Sequence, residues 1–440
     1  MTPADAPADP ARRRAMLIVF LVVVIDLLGF GIVLPLAPRY ADDYLAGTSD
    51  LAKGLVIGAI YSCFSLMQFV FSPVWGRVSD RYGRRPVLLV SLAGSALFYG
   101  LFGLASTLPP ESGTLALALI LLSRIGAGVA GASVSTAAAV IADCTPPERR
   151  AKGMALIGAA FGLGFTFGPL IAYAGLEVFQ AAHWAPGAVA GGLSALALAL
   201  AVALMPETVK RGEPRPGREL FSVSRSLEVL RQPAVGPLVL LYFLVIFAFA
   251  NFEGTLALFT KEAFRLNDQD NFLVFAYVGL VLMVAQGGVY RPLAGRRTEF
   301  ELMALGVAML LIGLGGLAAV AVGGWLLAPS GGAAGLKPLF YLGMTAAVVG
   351  FAFVNPSVSA LISRRADPTR QGEVLGVNQS FAALGRILGP FLGSVVFWQH
   401  PSRVLPYALA VVLLVGVVGL LPKARATGSA PTDVGGRTKG

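Results

Sequence analysis

Four charged side chains sit inside long apolar runs of this sequence: Asp26 in "VVVIDLLGF", Arg124 in "LLSRIGAG", Glu253 in "FANFEGTLALF" and Arg386 in "FAALGRILGPF". A charge at the middle of a bilayer costs about 2.5–3.5 kcal/mol on insertion scales, so such groups face an aqueous cavity or a partner. A carboxyl shielded from water favours its neutral form, and an approaching cation restores the charged one. One group can therefore load a proton on one side of a barrier and release it on the other. Asp26 is the leading candidate for that work, with a permanent ion pair to Arg124 as its plainer alternative. Arg124 stays protonated in any surroundings and is expected either to set the electrostatics around Asp26, to answer an anionic substrate group, or simply to pack between helices. Glu253 suits a second proton or a cationic substrate group, with an acid near the outer mouth that reaches water as its plainer alternative. Arg386 can pair with either acid.

Uncharged polar residues in the same runs, Gln68, Asn251, Gln286, Asn355, Asn378 and Gln379, can line a cavity or bond across helices at about 1 kcal/mol each. Tyr61, Phe64, Phe161, Phe165, Tyr242 and Phe353 supply the apolar walls that an amphipathic small molecule needs. The two histidines, His183 and His400, stand apart from the two cysteines, Cys63 and Cys144, so no metal cluster or disulfide framework is expected. With no "GxxxxGK[ST]" loop to hold a nucleotide, the sequence points to no cofactor and no covalent chemistry, and leaves the proton gradient as the energy source.

These residues need a scaffold that places them at mid-membrane. Of 440 residues, 56% are apolar and 13% charged, and mean hydropathy is +0.75, far from the balance of a soluble domain. Apolar runs lie near 16–38, 52–75, 86–106, 114–142, 151–175, 184–205, 234–260, 270–290, 302–327, 338–363, 372–397 and 403–421. Each is long enough for a helix to cross about 30 Å of hydrocarbon, and they are numbered spans 1 to 12. The first run holds Asp26 and lacks a small-residue cleavage site, so it reads as a span rather than a removable signal. Most of the 34 Lys and Arg fall in alternate loops and the tails, which puts both termini in the cytoplasm of a cell whose inner membrane holds the chain. Topology thus accounts for the net charge of +10 without nucleic acid.

The stretch 147–170, "PERRAKGMALIGAAFGLGFTFGPL", aligns without gaps to 368–391, "PTRQGEVLGVNQSFAALGRILGPF". A repeated six-helix unit follows. The expected fold is an all-α membrane protein of twelve transmembrane helices in two pseudo-symmetric six-helix bundles: a tail at 1–15, bundles at 16–205 and 234–421, a cytoplasmic linker at 206–233 with a short interfacial helix, and a tail at 422–440. Such parallel repeats accompany alternating-access transport. Gly158 with Gly162, and Gly164 with Gly168, permit close helix approach, while Pro169, matched by Gly389-Pro390, can bend the span.

"GRVSDRYGRRP", residues 76–86, falls in the loop between spans 2 and 3, and "RPLAGRR", 291–297, in the corresponding loop of the second half. The first resembles the loop signature of the major facilitator superfamily at Gly76, Asp80, Arg81, Gly83, Arg84 and Arg85. "LSRIGAGVAGA" resembles that family's span 4 signature in proton-driven members, "GAAFGLGFTFGPLIA" its span 5 antiporter signature, and "DLLGFGIVLPLAPRY" the start of exporters near the tetracycline-efflux branch. The resemblance implies drug:proton antiport. The second-half loop lacks an acid equivalent to Asp80, and span 5 lacks a further glycine pair after Gly-Pro. If Gly76 lets span 2 approach span 11, Asp80 can cap the span 11 helix near Gly372 and hold the cytoplasmic side shut, beside the gate residue Arg77 and amid a charge network of Arg84, Asp143, Glu148 and Arg149; the plainer alternative is a topology signal.

The sequence thus leads to a monomeric secondary transporter, partnered by protons, the lipid bilayer and an amphipathic small molecule, which exports that molecule or drug in exchange for protons. The alternatives are a uniporter or symporter of a polar metabolite, and a non-transporting membrane scaffold or receptor.

Overall fold

Runs of apolar residues in lipid must satisfy every backbone N–H and C=O within the same segment, which selects helices. In a computed structural model, which describes residues 10–145, 150–207, 223–327, 335–367 and 370–426, the described residues form helices and their connections, with no strand. Eleven helical segments are long and apolar enough to cross a membrane: Met16–Asp43, Asp50–Tyr82, Arg84–Ala105, Pro110–Ile141, Ala185–Leu204, Gly236–Phe264, Asp268–Ala294, Glu299–Leu327, Lys337–Arg365, Glu373–Phe397 and Leu405–Arg425. The remaining span, the fifth, is the helix Arg150–Val178, whose Gly162–Val178 portion is a shorter apolar stretch.

Local sequence explains where these helices start and break. Ser49 and Asn267 cap spans 2 and 8 by accepting the N–H of Ala52 (3.3 Å) and Asp270 (2.7 Å). Thr298 and Glu301 close a reciprocal capping box at span 9. Span 1 is interrupted between Val33 and Ala37, where Pro35 and Pro38 remove donors. Span 8 contains a π-helical turn at Ala285–Tyr290, a local widening often found where a helix does work.

Spans 1, 3 and 6 pack together with 4 and 5, and span 2 lies on span 4; in the second half span 7 packs on 11 and 12, and span 9 on 10 and 12. The bundles repeat the same joint. A Cβ at Gly168 would lie 2.9 Å from the Leu28 carbonyl of span 1, and one at Gly389 would lie 2.6 Å from the Phe247 carbonyl of span 7. Asp26 lies two residues ahead of Leu28 and Glu253 six beyond Phe247, so the embedded acids are not equivalents. At about 1.5 Å per residue, Glu253 stands roughly 12 Å further from the face that carries the chain termini. That face is called terminal here, the other distal. Within the linker, the helix Val223–Arg231 is held to the second bundle by Arg370, whose guanidinium meets Glu228 at 2.8 Å and Glu373 at 3.0 Å.

The two bundles meet along spans 2 and 11 and along spans 5 and 8. On span 2, a Cβ at Gly54 would lie 2.6 Å from Val395 Cα, and one at Gly58 2.9 Å from the Phe391 carbonyl; on span 8, one at Gly279 would lie 2.7 Å from the Phe165 carbonyl. By contrast Gly76, Gly162, Gly287 and Gly376, nearer the terminal face on the same four spans, meet nothing within 4 Å. Gly279→Leu should therefore force the bundles apart at a cost of about 1–3 kcal/mol and lower the apparent Tm of the purified protein. Gly287→Ala should leave it unchanged.

Candidate functional site

Asp26, 9% exposed, is held by span 3: the hydroxyl of Ser95 donates to its Oδ1 at 2.7 Å. Arg124, 1% exposed, makes no hydrogen bond, and its guanidinium lies over the ring of Phe64 at 4.7 Å and near that of Phe30 at 6.0 Å. The glycines that follow Arg124 allow this, since Gly128 brings span 4 to 2.5 Å, measured from a Cβ, of the Phe64 carbonyl. Cation–π contact of this kind is worth about 2 kcal/mol when water is excluded. The permanent ion pair between Asp26 and Arg124 that the sequence left open is not formed: each has its own neighbours.

In the second bundle Arg386 is the charged group whose field reaches Glu253, without a salt bridge between them. Tyr61 lies between the halves electrostatically, sensing both Arg124 and Glu253, and its buried hydroxyl has no hydrogen-bond partner. Tyr242 donates to Asn355 Oδ1 at 2.5 Å. Gln379 and Arg386, about two turns apart on span 11, are exposed. Phe30, Phe64 and Phe165 form a continuous aromatic wall, with ring centroids 4.7 and 5.8 Å from Phe30.

Other polar candidates are spent on packing. Asn251 is fully buried and donates to the Pro406 carbonyl of span 12 at 2.6 Å. Gln68 donates to the Gly131 carbonyl of span 4 at 3.1 Å. Asn378 is enclosed without a hydrogen bond, Gln286 belongs to the π-helical turn of span 8, and Phe353 rests against Tyr290. The surroundings of Gly158, the side chain of Phe161 and all of Glu148 and Arg149 lie outside the described residues.

At the terminal face the expected approach of span 2 to span 11 at Gly76 is absent from this conformation. Asp80 pairs instead with Arg84 (2.8 Å), which is itself buried and also reaches Asp143 (3.3 Å) and Ser79 Oγ (2.5 Å). Arg77 and Arg81 are exposed. Gly83, at φ +103°, leaves space for the Glu207 carboxylate, which accepts the N–H groups of Arg84 (2.9 Å) and Arg85 (3.2 Å). Glu207 thus caps span 3 from the end of span 6, a role that its position in a charged linker concealed.

The distal face carries an unforeseen clasp between the halves. Arg39, 4% exposed, places Nε 2.9 Å from Asp268 Oδ1 and donates through Nη2 to the Leu266 carbonyl at 2.6 Å. Lys261 bridges Asp42 (3.0 Å) and Asp43 (2.6 Å), Asn271 donates to the Pro35 carbonyl at 3.4 Å, and Lys53 lies 4.9 Å from the ring of Trp398. The available signal was complementary charge at run ends, acids after span 1 against a lysine at the end of span 7. The halves are thus joined at the distal face, while the glycines nearer the terminal face meet nothing within 4 Å.

The model of the Major Facilitator Superfamily matches residues 19–330 of this chain. Major facilitator superfamily domain-containing protein 10 of Bos taurus is 30% identical over 454 residues, covering 90% of this chain and 91% of that protein. The class C tetracycline resistance protein of Escherichia coli is 30% identical over 392 residues, covering 89% and 91%. The crystal structure titled as the human organic anion transporter MFSD10 (TETRAN) superposes with a TM-score of 0.63 at 26% identity, covering 94% of this chain and 100% of that one. A D-xylose-proton symporter reaches 0.71 at 16% identity over 94% and 98%, a likeness of fold alone.

Arg39→Gln should leave Asp268 without its cation and destabilise the distal-closed state by up to about 3 kcal/mol. Spin labels at the exposed distal positions Glu111 and Gln399, one in each half, should then report a longer distance population by double electron–electron resonance, while the unmodified clasp keeps the short one.

Proposed function

The chain belongs to the Major Facilitator Superfamily, and on that premise we propose that it is a secondary transporter that exports a lipophilic small molecule in exchange for protons by alternating access. The observation that carries this is the pair of embedded carboxyls, Asp26 and Glu253, in a molecule whose halves touch at one face and part at the other. The terminal face, rich in Arg, is the cytoplasmic one, so the conformation described accepts substrate from inside. The tetracycline resistance relatives support export by name, and the relatives and neighbours that match over nearly their full length are transporters.

The cycle follows from differential binding. Substrate enters between the bundles against the wall of Phe30, Phe64 and Phe165, the distal clasp opens, and the terminal ends of spans 2 and 11 and of spans 5 and 8 close. Protonation of an embedded acid on the distal side changes the relative stability of the two states and returns the empty carrier inward. Asp80 is released from Arg84 to cap the span 11 helix in the terminal-closed state, and the bends at Pro169 and Pro390 give the two pairs of spans room to rock. The protein works as a monomer, because one chain supplies both halves of the pathway. No covalent step is required.

Proteoliposome flux tests this. With tetracycline as probe and an imposed pH gradient, Asp26→Asn should lose gradient-driven transport by at least tenfold while retaining counterflow, and Glu253→Gln should weaken coupling less. Flux in the unmodified protein that ignores the pH gradient would replace antiport by uniport. Undiminished driven transport in Asp26→Asn would remove Asp26 from the coupling step.

A further inference from the structure

The terminal ends of the two bundles share a sequence plan but not a charge plan. Gly83-Arg84-Arg85, between spans 2 and 3, corresponds to Gly295-Arg296-Arg297, between spans 8 and 9, which sets Asp80 against Pro292. Carried back a few residues, the register that aligns 147–170 with 368–391 sets Asp143, at the end of span 4, against Arg364, at the end of span 10. Pro206-Glu207 after span 6 matches Pro422-Lys423 at the end of span 12. In the first bundle these acids satisfy the loop: Asp80 and Asp143 hold the Arg84 guanidinium at 2.8 and 3.3 Å, and Glu207 accepts the N–H groups of Arg84 and Arg85. In the second bundle a proline, an arginine and a lysine stand in their places.

The result is an open cleft of about 500 Å³ lined by Arg296, Arg297, Thr298, Glu299, Glu301 and Arg364. Its two carboxylates are already engaged. Glu299 takes both Nη groups of Arg364, at 2.6 and 3.2 Å, and Glu301 turns back to accept the Thr298 N–H at 3.1 Å. Arg296 is exposed where Arg84 is buried, and neither its guanidinium nor that of Arg297 meets a carboxylate among the described residues. The cleft also leads into the membrane: exposed residues of span 9 recur at Glu301, Leu305, Ala308 and Ile312, one helical stripe on which Leu305 is 48% and Ile312 70% exposed.

We propose that this cleft binds the headgroup phosphate of an anionic phospholipid, whose acyl chain lies along Leu305 and Ile312. The phosphodiester supplies from the bilayer the negative charge that Asp80 supplies to Arg84 in the first bundle. Guanidinium groups suit its two free oxygens, and basic pockets at the membrane ends of helices favour acidic headgroups. The ammonium of a zwitterionic lipid would bring a cation to Arg296 and Arg297, so such lipids bind more weakly. A soluble phosphate has nothing to place on the stripe of span 9. The site depends on membrane embedding alone and not on the transported molecule.

Native mass spectrometry of the purified full chain, titrated in detergent with phosphatidylglycerol or with phosphatidylcholine of the same acyl chains, tests this. The expected result is one phosphatidylglycerol held at least tenfold more tightly than phosphatidylcholine. Arg296→Gln combined with Arg297→Gln should abolish that preference, whereas Arg231→Gln, at another exposed arginine of the terminal face, should keep it. Pro292→Asp restores an acid four residues ahead of Arg296 and should weaken phosphatidylglycerol about tenfold, as a pair like that of Asp80 and Arg84 replaces the lipid; it reads out even where the double variant fails to fold. Equal binding of the two lipids, or a preference undiminished in Pro292→Asp or in the double variant, overturns the site. Displacement of phosphatidylglycerol by an equal concentration of inorganic phosphate overturns the lipid as its occupant.

Discussion

Gly54 and Gly58 bring span 2 so near span 11 that a methyl at either would strike the backbone of Val395 or Phe391, and Gly279 does the same for span 8 on span 5. Close backbone contact of this kind is one of the main sources of adhesion between helices in lipid, where no hydrophobic gain drives association. Its confinement to the distal parts of spans 2 and 11 and the middle of spans 5 and 8 governs the rest of the molecule. The bundles are hinged rather than fused: rigid inside, because each is built on its own glycine joint between spans 1 and 5 or 7 and 11, and divisible between.

The charges are arranged around that asymmetry. At the distal face, Arg39 with Asp268 and Lys261 with Asp42 and Asp43 cross from one half to the other, so they can persist only while that face is closed. At the terminal face, Arg84 keeps Asp80 within its own bundle, so the loop signature is satisfied without touching span 11. The two faces are therefore in opposite states of engagement at one time. Between them the embedded groups are held loosely, Asp26 by one hydroxyl and Arg124 by aromatic rings, an economy that leaves both free to change partners when water or substrate reaches them.

The fold was legible because hydropathy and repetition are properties of the chain taken in order. Gly164, Gly168 and their counterparts Gly385 and Gly389 stand at matching places in the repeated stretch, and the structure uses them in matching joints. The site was legible in depth but not in azimuth. A position along a span can be read from its distance to the loop, whereas the direction a side chain takes around the helix depends on which neighbours it packs against. That is why Asp26 and Arg124 looked like partners and are not, and why Asn251 looked like a cavity residue although it bonds to Pro406. Ser95 and Glu207 gave no signal, since a serine in a span and an acid in a linker are ordinary until a distant group arrives. The clasp stayed hidden because Arg39 and Asp268 occur at the ends of runs, where charge is expected and carries little information.

The central claim is that the two faces open reciprocally about one joint, driven by protonation. Hydrogen–deuterium exchange of the full chain in lipid nanodiscs, compared between neutral and acidic buffer, tests it most directly. After correction for the intrinsic pH dependence of amide exchange, the account predicts opposite signs within the same helices on acidification, because protonation favours the inward-open carrier: slower exchange in the distal halves of spans 2, 5, 8 and 11, and faster exchange in their terminal halves. Changes of the same sign at both faces, or changes confined to the loops, would contradict it.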